Sequence, residues 1–372
     1  MNPKERKVLE IIEENPFISQ KDIAEELELT RSTVATIISS LTNKNQLLGR
    51  AYVVNRSKNV YCIGAMNVDR KFNLTEKMVL KTSNPAVSSV SIGGVIRNIA
   101  ENLGRLDYEP SLFSLGGLDQ DFNIIKKATE PYVNMQHVSQ VSRFSTGMYN
   151  AILDTEGEMQ LAIADMEINE EMSRAWIKQY ESILIEAELL VIDLNLPYET
   201  VEYLIHLART HEVDLIVIPV SGPKMKRLPK DLTGVNWLIV NQDESESYFD
   251  LKVENEGDFE NLVEHWLGTG LKNVVITRGI KPSAYGNQAG ERLSLKPPKV
   301  NRVIDVTGAG DGYSAGVIMG HLEGLSPKES IQLGMTNSYH IIQEENNVRQ
   351  ELSKERLYEE KNQLFNNEGE DK

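Results

Sequence analysis

The pattern of apolar and polar positions changes near residue 60. From Tyr61 onward, short runs rich in Val, Ile and Leu alternate with amphipathic segments. The runs that predict strands buried on both faces are 189–192, 215–218, 237–240 and 274–276, and the clearest helical segments are 198–210 and 259–268. Because strands and helices alternate through short connections, we predict an α/β fold with a doubly wound parallel sheet. Ligands of such sheets bind beyond the carboxyl ends of the strands.

Two less regular stretches in this region, 69–91 and 146–165, alternate apolar and polar residues. A period of two is typical of strands with one exposed face, so these stretches predict a small extra sheet, which we call the lid. The domain that contains both sheets is predicted to span residues 59–352. Residues 353–372 are predicted to form a polar tail that is frayed from residue 366.

The first 58 residues have a helical period instead. Apolar side chains at helical spacing, with Ser19 and Thr30 as N-caps, predict three helices. The inward positions of the first and third helices are Val8, Leu9, Ile11, Ile12, Val34, Ile37, Ile38 and Leu41. A short apolar run at 46–54, with a turn at Gly49 and Arg50, predicts a hairpin.

This order of elements resembles a winged helix-turn-helix, whose third helix enters the major groove of DNA. The outward side chains of the third helix would then contact DNA, namely Arg31, Ser32, Thr33 and Thr36. The same pattern also fits a three-helix packing or dimerisation module. Because helix-turn-helix modules usually read paired half-sites, the resemblance implies a homodimer.

Charge separates the two parts of the chain. Residues 1–60 contain nine Lys and Arg and eight Asp and Glu, so they carry +1, whereas the rest of the chain carries −17. The total of −16 over 372 residues excludes a protein that coats nucleic acid along its whole surface. The lone cysteine, Cys62, can form no internal disulfide, and no apolar stretch reaches ~18 residues, so we expect a cytoplasmic protein with no membrane partner.

The strongest local signal for chemistry is the segment 305–311, Asp-Val-Thr-Gly-Ala-Gly-Asp, directly before an apolar helical segment. Small residues at the start of a helix leave backbone N–H groups free to bind an anion. An acid in that first turn, here Asp311, is placed to act as general base toward a hydroxyl that attacks a phosphoryl group. Taken alone, the segment also fits a glycine-rich turn in which Asp311 is an ordinary first-turn acid.

With four other segments, this motif resembles the ribokinase-like (PfkB) sugar and nucleoside kinases over residues 61–350. The matching segments are 63–69, 93–100, 241–244, 277–279 and 305–311. Within that family, segment 93–103 and the runs 157–166 and 219–221 are similar to pseudouridine kinases. One departure is Ile218, where that subgroup usually has Asp, so any polar contact made by that Asp is missing here.

The resemblance implies ATP-dependent phosphorylation of the 5′-hydroxyl of pseudouridine, with Asp311 as the base. The anion hole would be formed by Gly308, Ala309 and Gly310. The implied sugar contacts are Asn67, Asp69, Gly93, Gly94 and Asn98, and the implied nucleobase or phosphate contacts are Arg97 and Asp165.

On the nucleotide side, the resemblance implies ATP, Mg²⁺ and, as in many relatives, K⁺. Asn241 and Glu244 would organise water around Mg²⁺, and Thr277 and Gly279 would flank the nucleotide. The monovalent cation would be held by Asp305 and Thr307, although Asp305 also fits a buried structural role.

The sequence leaves two other functions open. The chain could phosphorylate another nucleoside or a sugar by the same chemistry. Alternatively, it could be a transcriptional regulator whose kinase-like domain only senses its ligand.

Overall fold

The computed structural model describes residues 1–48 and 59–365. The chain divides into two compact units, Met1–Lys58 and Asn59–Lys372. No helix within the described residues is both long and apolar enough to cross a membrane.

The first unit contains the three helices predicted from the sequence. They are α1 Pro3–Glu14, α2 Gln20–Glu26 and α3 Arg31–Asn43. Ser19 caps α2 and Thr30 caps α3, each through a side-chain oxygen that accepts a backbone N–H three residues on. The apolar faces of the helices meet in one core, which Leu47 completes. Most of the hairpin predicted at 46–54 falls on residues 49–58, outside the described residues.

The second unit is an α/β fold whose strands and helices alternate. Its strands are β1 Val60–Ile63, β2 Asn67–Leu74, β3 Ala86–Gly93, β4 Ser111–Gly117, β5 Asn134–Val141, β6 Gly147–Leu153, β7 Met159–Asp165, β8 Leu189–Asp193, β9 Asp214–Ile218, β10 Trp237–Asn241, β11 Asn273–Thr277, β12 Ser283–Asn287 and β13 Arg292–Leu295. Its α-helices are α4 Val95–Arg105, α5 Gln120–Thr129, α6 Arg174–Lys178, α7 Glu181–Leu184, α8 Tyr198–His211, α9 Gln242–Phe249, α10 Glu256–Leu267, α11 Ala309–Leu322, α12 Pro327–Ile341 and α13 Lys354–Phe365. Two 3₁₀-helices span Glu167–Glu171 and Gly222–Arg227.

Nine of the described strands form the main sheet, in the order β13-β12-β11-β10-β9-β8-β1-β4-β5. The pairs from β11 to β5 are parallel, whereas β12 and β13 are antiparallel additions at one edge. The predicted doubly wound parallel sheet is therefore present, and its two antiparallel edge strands are an addition, because short turns join β11 to β12 and β12 to β13.

Helices cover both faces of the main sheet. In β8, Leu190 and Ile192 pack into the core on one face, and Leu189 and Val191 pack into the core on the other. The first core includes residues of α8 and α10, and the second includes residues of α4, α11 and α12. This two-sided burial explains why the strands are continuous apolar runs in the sequence.

The lid is a four-stranded sheet in the order β3-β2-β6-β7. It comes from the two stretches predicted to form extra strands. Since side chains alternate between faces along a strand, Asn67, Asp69 and Lys71 of β2 share one face of the lid.

The end of the chain departs from the predicted polar tail. Residues 354–365 form α13, and its Leu357 is fully buried against Leu333 of α12 and Leu352. The carboxylate of Glu360 on α13 accepts two hydrogen bonds from Arg349, whose side chain is almost fully buried. The sequence did not predict this helix because its residues are largely polar and form no apolar stripe. The helix is held instead by a buried ion pair and one leucine.

Candidate active site

The site is built around the start of α11. Gly308 precedes this helix in the left-handed conformation with φ 81°, and a Cβ at this position would lie 2.2 Å from the Asn347 carbonyl oxygen. Only glycine fits both conditions. The turn therefore brings the chain sharply into α11, with Asp311 in the first turn of the helix.

Backbone N–H groups in the first turn of a helix have no carbonyl partner within the helix. In α11 the predicted donors Gly308, Ala309 and Gly310 belong to this turn, and a Cβ at Gly310 would meet only open space. The N–H of Ala309 donates to the Val306 carbonyl at 3.2 Å, so this donor is engaged in the structure. The N–H groups of Gly310 and Asp311 precede the first intrahelical bond, which Gly312 donates to the Gly308 carbonyl at 2.9 Å. Together with the positive end of the helix dipole, they can bind an anion.

Asp311 is held by a side chain from another helix. Asn98 of α4 donates from Nδ2 to Asp311 Oδ2 at 2.7 Å. Burial, together with the nearby carboxylates of Asp193 and Asp69, raises the pKa of Asp311 to about 7, although the Asn98 bond acts in the opposite direction. A carboxylate with a pKa near neutral pH is suited to accept a proton and then release it.

A cavity of about 470 Å³ opens beside this carboxylate. Four residues predicted to lie on the nucleotide side line it together with Asp311, namely Asn241, Glu244, Thr277 and Gly279. The rest of its wall is largely apolar and includes Ile218. This wall offers the flat apolar contact that an aromatic base requires.

Asn241 and Glu244 form a capping box at the start of α9. Asn241 Oδ1 accepts the Glu244 N–H at 2.8 Å, and Glu244 Oε2 accepts the Asn241 N–H at 2.9 Å. Burial raises the pKa of Glu244 to about 7. Because Oε1 takes no part in the box, Glu244 fits the role of holding a water of a phosphate-bound Mg²⁺. Among the described residues, no group of three or more His, Cys, Asp or Glu could cage a metal by itself.

The lid contributes a polar pair that does not line the cavity, and its Asp69 is close enough to Asp311 to act on it electrostatically. Asn67 Nδ2 donates to Asp69, and burial raises the pKa of Asp69 to about 6. A Cβ at Gly93 would lie 2.4 Å from Asp69 Oδ2, and one at Gly94 would lie 2.5 Å from the Ala65 carbonyl oxygen. The glycines are therefore required for β2, β3 and the start of α4 to approach one another. The structure thus brings together four of the five residues predicted for the sugar. The fifth, Asn98, is 3% exposed, and its amide bonds to Arg97 and Asp311 instead of facing a ligand.

Two of the predicted substrate residues lie elsewhere. Arg97 is only 3% exposed and bonds to protein groups, so it is not available for a nucleobase or phosphate. Asp165 pairs with Met148, which pairs with Val68, so the register places Asp165 on the opposite face of the lid from Asp69. Both predictions were drawn from short sequence runs, which do not show which way a side chain points.

Asp305 and Thr307, predicted to hold a monovalent cation, bond to protein groups. Asp305 Oδ1 accepts from Thr307 N at 2.9 Å and Thr307 Oγ1 at 2.6 Å, and Lys71 of the lid donates to Oδ2 at 2.5 Å. Hydrogen bonds with Lys71 and Thr307 lower the pKa of Asp305, against the opposing effect of partial burial. Since both oxygens are engaged and Lys71 supplies the positive charge, this arrangement does not fit K⁺ without displacement of the lysine.

Sequence reasoning missed Asp193 and Asn195 at the carboxyl end of β8. Asp193 is fully buried and accepts from Ala65 N at 3.3 Å, Asn195 N at 2.9 Å and Asn195 Nδ2 at 3.1 Å. It ties the end of β1 to β8, and burial raises its pKa to about 6. The available signal was two polar residues directly after an apolar strand, at the sheet edge where ligands bind.

In the first unit, the predicted DNA contacts lie at the start of α3. Arg31, Ser32 and Thr36 are exposed, whereas Thr33 is half-buried and its hydroxyl lies 2.8 Å from that of Thr30. Three of the four side chains are therefore presented to solvent on one helix.

The arrangement of the second unit is that of a phosphotransferase. Comparison with known proteins agrees: residues 57–350 match the family described as pfkB family carbohydrate kinase, and residues 1–47 match winged helix-turn-helix DNA-binding. The chain therefore belongs to the pfkB family of carbohydrate and nucleoside kinases, with an N-terminal winged helix-turn-helix. The predicted family and fold class are confirmed.

Individual relatives agree with this assignment. The sugar kinase YeiI of Escherichia coli strain K12, itself uncharacterized, is 27% identical over 338 residues, which cover 90% of this chain and 92% of the relative. The pseudouridine kinase of the same strain is 29% identical over 274 residues, 73% of this chain and 87% of that protein. A solved carbohydrate kinase from Agrobacterium tumefaciens aligns with a TM-score of 0.71 and 26% identity, covering 82% of this chain and 98% of that one.

Proposed function

We propose that this kinase transfers the γ-phosphoryl group of ATP to the 5′-hydroxyl of pseudouridine. The observation that carries the proposal is the position of Asp311. Its carboxylate lines the 470 Å³ cavity on the nucleotide side, and the Asp69 carboxylate of the lid lies close enough to raise its pKa. Transfer of a phosphoryl group from a nucleotide to an alcohol requires a base between the site that binds the nucleotide and the site that binds the alcohol.

In the proposed reaction, Asn67 and Asp69 bind the ribose hydroxyls, and the 5′-hydroxyl faces Asp311. As the 5′-oxygen forms its bond to the γ-phosphorus, its proton passes to Asp311 and the bond from the γ-phosphorus to the β,γ-bridging oxygen breaks. ADP leaves with the electron pair of that bond. The amides at the start of α11 stabilise charge on the transferred group.

The apolar wall of the cavity would hold the adenine, with Thr277 and Gly279 at its edge. Glu244 would hold a water of the metal. When bound to the phosphates, Mg²⁺ neutralises part of their charge.

Two observations favour pseudouridine among possible acceptors. Segment 93–103 is similar to pseudouridine kinases, and a pseudouridine kinase is among the relatives. Pseudouridine has a carbon–carbon glycosidic bond, which leaves N1 with a proton to donate, whereas N1 of uridine carries the ribose. A site that bonds this donor rejects uridine, because its acceptor would stay unpaired.

The test is a screen of ADP formation with Mg²⁺ against pseudouridine, uridine, ribose and fructose. We expect kcat/KM for pseudouridine to exceed that for uridine by at least about tenfold, the value of one lost hydrogen bond. Equal values for the two nucleosides would contradict the proposal. Faster turnover of a free sugar would assign the site to the second candidate, a sugar kinase.

We further propose that the first unit binds DNA as part of a homodimer. Arg31, Ser32 and Thr36 are exposed on α3, and the matched family is a DNA-binding one. Ligand-dependent DNA binding by a protein without detectable turnover would instead support a sensor in which the kinase fold has no catalytic role. Sedimentation of the full chain tests the dimer, and a monomer at micromolar concentration would contradict it.

A further inference from the structure

Helix α4 carries a buried arginine, Arg97, directly before Asn98. The Asn98 side chain binds Asp311, the proposed base in the first turn of α11. Arg97 donates from Nε to Thr129 Oγ1 at 3.0 Å and from Nη1 to Asn98 Oδ1 at 2.9 Å. It also donates from Nη2 to Glu101, one turn further along α4. Thr129, on α5, is fully buried. The guanidinium is therefore fixed from two helices.

These bonds decide the orientation of the Asn98 amide. A guanidinium has donors and no acceptor, so the Asn98 atom that faces Arg97 must be the oxygen. The amide nitrogen then faces Asp311 Oδ2, an acceptor, at 2.7 Å. A reversed amide would place donor against donor at Arg97 and acceptor against acceptor at Asp311. The Asn98 backbone is fixed as well, since its carbonyl accepts from Asn102 Nδ2 at 2.8 Å.

The charges around Asp311 are unbalanced without Arg97. Asp69 from β2 and Asp193 from β8 both act on Asp311 as like charges. Glu101 pairs with both Arg97 and Arg105, and it is Arg97 that acts on Asp311 as an opposite charge. That charge lowers the pKa of Asp311 against the two carboxylates.

We propose that Arg97 is a positioning residue for the base: it locks the Asn98 amide so that Nδ2 binds Asp311 Oδ2 and leaves Oδ1 to take the proton of the acceptor hydroxyl. The inference rests on the proposed role of Asp311. Arg97 was predicted from the sequence to touch the substrate, and it acts instead through Asn98.

The first test is Arg97→Met, which removes the donor and the charge. We expect kcat to fall about 10- to 100-fold, with KM for ATP unchanged because Arg97 does not line the nucleotide cavity. We also expect the acidic limb of the kcat–pH profile to move to higher pH by about half a unit or more, since a positive charge near Asp311 is lost.

Arg97→Gln separates orientation from charge. The glutamine amide has a donor for Asn98 Oδ1 but no charge, so kcat above the acidic limb should stay within about threefold of the wild type while the limb still moves upward. The matched control is Arg105→Met, because Arg105 bonds to the same Glu101 at 2.9 Å, whereas Asn98 Oδ1 is bound by Arg97. Arg105→Met should have the kcat of the wild type, and the acidic limb of its kcat–pH profile should lie at the same pH.

The reference variant Asp311→Asn keeps the two proposals separate. If Asp311→Asn retains turnover, the proposed base is wrong. If Asp311→Asn is inactive while Arg97→Met and Arg97→Gln both keep the wild-type kcat and limb, only the role of Arg97 is overturned. Should Arg97→Met not fold by circular dichroism, Arg97→Gln decides alone, because a purely structural role would leave the pH limb where it is.

Discussion

The two units of this chain place their polar chemistry in opposite environments. In the first unit, Arg31, Ser32 and Thr36 lie on the exposed face of α3, in a segment of nearly zero net charge. In the second, Asp69, Asp193 and Asp311 lie in and around a cleft of a strongly acidic domain, and all three have raised pKa values. Exposed groups act through long-range charge that salt screens, whereas buried groups act through fixed geometry and altered protonation.

This difference predicts that the two units respond to different variables. Kinase turnover should depend on pH and little on moderate salt, while DNA binding should depend on salt and little on the protonation of the cleft.

The largest effect is expected from Asp311→Asn. Loss of the base should lower kcat by about 10²- to 10⁴-fold. ADP binding should persist, because the cavity wall is unchanged. In the wild type, kcat should fall as pH drops below about 7, since the raised pKa protonates Asp311 there.

Steady-state kinetics and ADP titration check this prediction, with Glu260→Gln on an exposed position of α10 as the control. The folded state binds the Asp311 proton more tightly than the unfolded state, so ionisation costs stability as pH rises past 3.8 toward 7. Asp311→Asn should consequently unfold at no lower temperature than the wild type at pH 8. A kcat within tenfold of the wild type would remove Asp311 from the mechanism.

A smaller effect is expected in the first unit. Arg31→Ala should weaken binding to a DNA fragment selected from a random pool by about tenfold. It should also reduce the slope of log K against log salt by about 0.9, the value of one phosphate contact. Kinase kcat should not change. Lys7→Ala, on an exposed position of α1, is the control; equal losses in both variants would show that charge matters but the α3 face does not.

The smallest effect concerns the ion pair between Lys71 of the lid and Asp305 of segment 305–311. The Lys71–Asp305 ion pair is partly exposed, with side chains 38% and 26% accessible, so such a pair contributes at most about 1 kcal/mol. We expect wild-type turnover to change less than about twofold when KCl replaces an equal concentration of a Tris salt. Lys71→Met should gain K⁺ stimulation, and exposed Lys77→Met should not. Strong K⁺ activation of the wild type would show that the cation displaces the lysine.

Much of the fold could be predicted because its causes are local. Caps at Ser19 and Thr30 and buried strands such as 189–192 follow from the residues within each segment, and the structure contains all of them. The antiparallel edge of the sheet was missed because β12 and β13 are short and similar in composition to loops. Helix α13 was missed because Arg349 and Leu333, which anchor it, lie outside its own sequence.

The candidate site divides in the same way. Segment 305–311 by itself predicts a glycine turn that leads an acid into the first turn of a helix, since glycine tolerates the positive φ of 81° that Gly308 adopts. The tertiary structure decided which groups meet there: Asn98 with Asp311, Lys71 with Asp305, and Arg97 with Thr129 instead of a ligand. Backbone conformation depends on neighbours in the chain, whereas the partner of a charged side chain is chosen by distance in the folded state, as with Lys71 and Asp305, which are 234 residues apart in the sequence.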